Sequence, residues 1–136
     1  MASGLYDNAR DYFLRGNLAW ASDPFRAVLI DTGVYAVNLA THDAYNDVDS
    51  GARVQGSGTG ALTTGFVGTN GTADANDVTL TAVTGSACSA IIIRKHNATE
   101  SLAYLICYID SGSGLPVTPN GGDITIAWNA SGIFKL

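Results

Sequence analysis

Short apolar runs at the length and spacing of β-strands dominate the pattern along this chain. Residues 88–95 and 102–110 are almost continuously apolar, as in strands that are covered on both faces, and residues 96–101 join them as a predicted hairpin loop. Residues 77–83 and 123–129 alternate between apolar and polar side chains, as in strands with one covered face. Strands that follow one another every 8–12 residues or so are typical of antiparallel sandwiches and barrels. The pattern therefore predicts a mainly β protein.

The first half of the chain contains weaker strand signals. Residues 25–31 predict a strand, residues 41–48 a short helical turn, and residues 52–55 a further short strand. The Gly/Thr-rich segment 56–71 predicts either a long surface loop or a pair of weak edge strands, with one short strand around residues 62–67.

Only the N-terminal residues show a helical period. One apolar stripe recurs there at i, i+4, i+7 and i+8: Leu5, Ala9, Tyr12 and Phe13. Ser3 is the expected N-cap and Gly16 the expected stop, which predicts a single short helix over about residues 4–15. We expect its stripe to cover a sheet or a partner.

The last residues are apolar, although chain ends usually carry little apolar surface. Two prolines and an Asn-Gly-Gly turn precede the strand at 123–129, and the chain closes on Ile133, Phe134 and Leu136. Full burial of such side chains stabilises by about 1.5–3 kcal/mol each, and their exposure invites aggregation. We therefore expect the C-terminus to be docked, in a sheet or against a partner.

The amino-acid composition limits the classes of binding partner that we expect. The 136 residues suit one domain, expected to span residues 1–136, and only 14% of them are charged, whereas about 25% is usual. The net charge is −5 and the seven Lys and Arg residues are scattered, so neither nucleic acid nor an anionic membrane is expected as a partner. Residues 1–4 lack the features of a secretory signal, which favours synthesis in a cytoplasm.

The two cysteines, Cys88 and Cys107, match no metal or redox spacing. The predicted hairpin would bring them near each other on a diagonal, which at roughly 7 Å is too far for easy bridging. We expect two buried free thiols that act as small apolar residues.

Candidate chemistry is sparse. Asp43, Asp47 and Asp49 cluster as in half of a calcium loop, but the later Glu is missing and turn chemistry explains these residues. His96 and Glu100, the only glutamate, both lie in the predicted hairpin loop, and nothing marks a nucleophile. The sequence therefore predicts no enzyme: no catalytic, cofactor-binding or metal-binding residues.

Several segments together resemble those of one known family. They are Gly4-Leu5-Tyr6, residues 26–33, 35–41, 50–54 and 77–80, and most specifically residues 108–110 with 114–125 and the closing 133–136. On these segments the chain resembles small virion structural proteins of tailed bacteriophages, often encoded close to the major capsid protein. The resemblance covers nearly the whole chain, with residues 56–75 the least matched.

The resemblance implies a non-enzymatic capsid cement (decoration) protein with a jelly-roll-like antiparallel β-sandwich. Such a protein would be made in the bacterial cytoplasm, form a homodimer or homotrimer on the outer capsid surface and contact the major capsid protein. An acidic balance fits an outer position, because the inner wall faces packaged DNA. The alternative is a neck, tail or fibre component, including an adhesin that binds host glycans. The residues expected at the interface are Leu5, Tyr12, Phe13, Ile133, Phe134 and Leu136.

Overall fold

The computed structural model describes residues 3–63, 66–112 and 114–136, apart from the side chain of Val67. As predicted, the fold is mainly β, with antiparallel sheets and one α-helix, α1 (Asp7–Leu14), among the described residues. The strands are β1 (Gly4–Leu5), β2 (Phe25–Ile30), β3 (Arg53–Val54), β4 (Ala61–Leu62), β5 (Val67–Thr69), β6 (Thr72–Asp74), β7 (Val78–Leu80), β8 (Ala90–Lys95), β9 (Leu105–Ile109), β10 (Ile124–Ile126) and β11 (Phe134–Lys135). Short 3₁₀ turns cover Tyr45–Asp47, Ser50–Ala52 and Glu100–Leu102.

The main sheet has six strands in the order β1-β9-β8-β2-β3, with β4 also paired to β2. Its centre is β2, β8 and β9, whose apolar runs are buried on both faces as their continuity predicts. In this register Leu29 lies opposite Ile91, and Ile91 lies opposite Ile109. Directly opposed residues point to the same face, so these three side chains share one face of the main sheet.

Two smaller antiparallel sheets accompany the main one. One pairs β10 with β7, and the other has the order β11-β6-β5. The alternation predicted around β10 is present: Ile126 is buried, whereas Thr125 and Ala127 are exposed. Several sheets around one continuous apolar core are consistent with a β-sandwich. The jelly-roll connectivity stays a prediction.

The helix begins later than predicted. Residues Gly4 and Leu5 form β1 on the edge of β9, opposite Tyr108 and Cys107. Ser3 is not the N-cap, since its hydroxyl accepts the Asp110 N–H at 3.0 Å, and Tyr6 is the residue that precedes the helix. Strand pairing satisfies backbone groups and buries Leu5 to 2% exposure, which a frayed first helical turn would not do.

The predicted proximity of the two cysteines is wrong. The hairpin of β8 and β9 forms, but its register puts Ile93 opposite Cys107. Cys88 precedes β8 and instead forms an isolated bridge with Val117. Both cysteines are free and buried, as predicted.

The predictions for the first half of the chain are partly confirmed. The short helical turn and the short strand are present as Tyr45–Asp47 and β3. Of the two predictions for residues 56–71, the pair of edge strands is confirmed, since β4 pairs with β2 and β5 with β6. The single strand predicted at 62–67 is wrong, because β4 ends at Leu62 and β5 begins at Val67; residues 64 and 65 of that prediction lie outside the described residues.

The helix α1 has eight residues. Within the described ranges, no helix has the length and apolar character needed to cross a bilayer.

Candidate functional site

A cleft of about 910 Å³, lined by both apolar and polar residues, lies between one face of the main sheet and the C-terminal segment. The main sheet supplies its floor: Leu5, Leu29, Ile91, Cys107 and Ile109. The C-terminal segment supplies the opposite wall: Ile124, Ile126, Trp128, Ile133 and Phe134. The floor residues share one face because β1, β9, β8 and β2 hold them in register. A space of this size is at the upper end of the 300–1,000 Å³ or so that binding pockets occupy.

The wall of the cleft is held by β11. Phe134 pairs with Ala73 of β6, and on either side of it the Ile133 N–H donates to the Ala73 carbonyl at 2.7 Å and the Leu136 N–H to the Gly71 carbonyl at 2.9 Å. The predicted docking of the C-terminal segment is therefore present within the chain itself, as strand pairing.

An aromatic cluster supports this wall from behind. The Phe134 ring lies 5.1 Å from Trp20 and 6.0 Å from Phe13 between centroids, and Trp20 lies 4.8 Å from Phe25 of the main sheet. Trp20 is oriented by its ring N–H, which donates to the Asp74 carbonyl at 2.9 Å. The C-terminal strand is thus connected to the main sheet through aromatic side chains at one end, while the cleft separates the two elsewhere.

Three of the six residues predicted at an interface line the cleft: Leu5, Ile133 and Phe134. Leu5 is buried and belongs to the core of this chain, whereas Ile133 and Phe134 are half-buried. Leu136 lies outside the cleft and is 57% exposed.

The two other predicted residues lie on the helix. Phe13 is half-buried against Phe134, so it supports the wall. Tyr12 stacks on Tyr104 with ring centroids 4.4 Å apart, and it does not line the cleft. The helical stripe therefore covers this chain's own sheet.

Sequence reasoning missed most of the cleft lining, notably Ile109, Leu115, Val117 and Trp128. The alternation of residues 124–128 did indicate an apolar face. No sequence signal indicated that this face and the main sheet would stand apart.

A second feature lies on the other face of the main sheet. Arg26 of β2 is directly opposite Arg94 of β8, so the two side chains share that face. Arg94 is 6% exposed, and its guanidinium stacks on the Tyr45 ring at 3.9 Å. Arg53 stacks on the same ring at 3.8 Å, so Tyr45 is sandwiched between the two guanidinium groups. His96 lies at the end of this row, its ring nitrogen 3.5 Å from Arg94 Nη1.

The charges in this row act on one another. Burial lowers the pKa of Arg94. Its interaction with Tyr45 acts in the opposite direction, while the neighbouring Arg26 and Arg53 add to the lowering. Partial burial together with Arg26 and Arg94 lowers the pKa of His96. Glu100 is held by Arg53 at 2.6 and 3.1 Å, which lowers the pKa of its carboxyl.

A buried chain of hydroxyl groups runs from the core to the surface. The Tyr6 and Tyr35 hydroxyls lie 3.0 Å apart, and Tyr35 Oη lies 2.8 Å from His42 Nδ1. Burial raises the pKa of Tyr6, and its hydrogen bond to Tyr35 adds to that direction. These bonds satisfy polar groups inside the core and account for the conformation of His42.

The aspartate cluster serves a turn. The Asp47 carboxylate accepts the N–H groups of Asp43 and Ala44 at 2.8 and 3.3 Å. Burial acts to raise the pKa of Asp47, but these bonds outweigh it and the pKa is lowered. No group of three or more metal-binding side chains comes together among the residues that the structure describes.

Both thiols are kept in their protonated form. Burial raises the pKa of Cys107 to about 12, and burial with the nearby Asp31 raises that of Cys88 to about 11. Neither is an activated nucleophile.

Compared with known proteins, the chain matches no family model and no curated protein.

Proposed function

We propose that the protein is a non-enzymatic structural protein of a tailed-bacteriophage virion, a cement (decoration) protein that forms oligomers on the outer capsid surface and stabilises contacts between major capsid subunits. The family resemblance of the sequence supplies the particle and the position. The half-buried apolar residues that line the cleft are the observation that favours a partner.

The cleft leaves apolar surface that a partner could cover. Folded interiors are packed as tightly as organic crystals, with few voids larger than a water molecule. The cleft of about 910 Å³ is not such a packed interior, and three of its apolar lining residues, Ile109, Ile124 and Trp128, are only half-buried. Covering such surface with apolar groups of another chain gains roughly 25 cal/mol per Å² removed from water. Many equivalent copies on one shell then add avidity, so each single contact can be modest.

A direct test places a charge in the cleft. Ile109→Asp puts a carboxylate on the half-buried floor residue, and Val34→Asp puts one at a surface position that is 48% exposed and outside the cleft lining. Circular dichroism and thermal melting establish which variants fold. We expect folded I109D to lose both self-association and occupancy on purified capsids, and V34D to retain both.

Deletion of residues 132–136 removes β11 and opens the cleft without introducing a charge. We expect reduced occupancy and release of DNA from the particle at a lower temperature. If the truncated protein folds, saturates the shell and leaves particle stability unchanged, the proposal fails.

The copy number of the protein per particle distinguishes the cement role from the neck, tail or fibre role. A cement protein should be present in numbers comparable with the major capsid protein, whereas a neck or tail component should be present in the numbers of one ring. Co-purification with tails and no affinity for capsids would replace the cement role by the neck, tail or fibre role.

A further inference from the structure

Positive charge gathers at one place on this acidic chain. The net charge is −5 and the sequence contains seven Lys and Arg residues. Arg26 and Arg94 nevertheless lie directly opposite each other on β2 and β8, with His96 at the end of β8 and Arg53 across the Tyr45 ring. Like charges directly opposite each other in a sheet destabilise it, so this arrangement needs a compensating partner.

The described residues do not supply that partner. None of the described carboxylates forms an ion pair with Arg26 or Arg94. Glu100 is close enough to affect the cluster, but both its oxygens are engaged by Arg53, at 2.6 and 3.1 Å. Arg53 and Arg94 thus act on the same carboxylate, and Arg53 forms both hydrogen bonds to it.

Among these cationic groups, Arg94 has the least compensation for its buried charge. Its side chain is almost completely buried, and its Nε atom has no hydrogen-bond partner. A buried charge is costly unless it is paired and hydrogen-bonded. Stacking on Tyr45 and the contact of Arg94 Nη1 with the His96 ring nitrogen offset part of this cost, but Nε stays without a partner. His96 is half-buried and lies beside Arg94 Nη1, so this end of the guanidinium reaches toward the surface.

We infer that Arg26, Arg94 and His96 form a binding site for a carboxylate group. A guanidinium presents a planar edge of N–H donors that matches the two oxygens of a carboxylate. Arg94 supplies the desolvated cation and Arg26 the second charge across the strand pair. His96 accepts from Arg94 Nη1 through Nδ1, so its other ring nitrogen, Nε2, is the donor for the carboxylate. The carboxylate belongs either to a small free acid or to an acidic side chain of a protein partner. The inference is independent of the proposed capsid role.

The experiment uses the two histidines of the chain as reporters. Sodium acetate is titrated into the full-length protein at constant ionic strength, with sodium chloride as the reference, while the ring signals of His96 and His42 are followed by NMR. We expect acetate to shift the His96 signals and to raise its pKa, because an anion offsets Arg26 and Arg94. His42, bonded to Tyr35, should not respond.

Charge-neutral variants locate the site. Arg26→Gln should weaken acetate binding about tenfold, the effect of losing one charge-assisted hydrogen bond. Arg15→Gln, which removes an equally charged group from the exposed end of α1, should leave it unchanged. Arg94→Gln is the second variant and should abolish the response if it folds; R26Q, at a half-buried position, keeps the test valid if it does not.

The outcomes separate the two sources of the carboxylate. A capped acidic peptide that binds more tightly than acetate, and whose glutamine counterpart does not bind, identifies a protein side chain. Acetate that binds as tightly as the peptide identifies a free acid. Equal acetate responses in wild type and R26Q, an unresponsive His96, or a stronger response to inorganic phosphate than to acetate would each overturn the inference.

Discussion

Gly132 controls the approach to the C-terminal strand, and Gly132→Ala should undock it. The residue has φ +106°, a region that side-chain-bearing residues rarely adopt. A Cβ atom at this position would collide with the Thr72 side-chain methyl and lie 3.1 Å from the Ala73 carbonyl oxygen. Both contacts lie on β6, the strand that pairs with β11.

The expected magnitude has two parts. Forcing a non-glycine residue into positive φ costs about 1–2 kcal/mol. Turning the Thr72 side chain out of its rotamer to admit the new methyl costs about 0.5–1.5 kcal/mol more. We therefore expect the free energy of unfolding to fall by about 1.5–3.5 kcal/mol, unless β11 detaches first. In that case the loss is limited to the docking free energy of the segment.

Urea denaturation and amide hydrogen exchange distinguish these two results. Global destabilisation lowers the denaturation midpoint, whereas local detachment accelerates exchange at Ile133 and Leu136, whose N–H groups bond to Ala73 and Gly71. Either result weakens the wall of the cleft, and we therefore expect the protein to self-associate less.

The matched control is Gly16→Ala. Gly16 also has positive φ, +76°, but nothing lies within 4 Å of its hypothetical Cβ, so only the backbone cost applies. Thr72→Ser added to Gly132→Ala removes the colliding methyl and should recover the rotamer part of the loss. If G132A loses no more stability than G16A and T72S recovers nothing, the steric reasoning is wrong.

Three further predictions concern the core and its charges. Phe134→Ala should lower the free energy of unfolding by about 2 kcal/mol, roughly half the cost at a fully buried phenylalanine because this ring is half-buried, as urea denaturation would measure. Cys88 and Cys107 are buried and their pKa values are raised to about 11 and about 12, so iodoacetamide labelling at pH 8 should require opening of the fold; rapid labelling of the folded protein in mass spectra would contradict this. Arg53 lowers the pKa of Glu100, so the stability from this pair is present above the carboxyl's unfolded pKa and lost as pH falls through its folded value. Glu100→Gln should flatten that acid limb in melting experiments, and an unchanged limb would refute the contribution of the pair.

The strands with continuous apolar runs were predictable because local pattern and global burial agree there. Residues of β2, β8 and β9 are mostly apolar on both faces, and a covered sheet removes them from water. The burial of both thiols follows from the same runs.

The predicted boundaries of the elements were wrong where a tertiary contact competed with the local structural preference of a segment. The periodicity of the N-terminus favours a helix from residue 4, but the open edge of β9 offers Leu5 a strand partner and a buried site. The predicted proximity of the two cysteines was wrong for a related reason, since Cys88 lies outside β8 and forms a bridge with Val117. A single sequence contains the propensity of a segment but not the edge that it will meet.

The sequence by itself determined the mainly β class, the buried central strands and the need to dock an apolar C-terminus, because hydrophobic periodicity acts locally. Only the tertiary structure decided the cleft and the arginine cluster. Each combines residues far apart in the chain, such as Leu29 with Ile133 and Arg26 with Arg94. Their proximity depends on strand order and register, which are set by the packing of the whole chain rather than by any one segment.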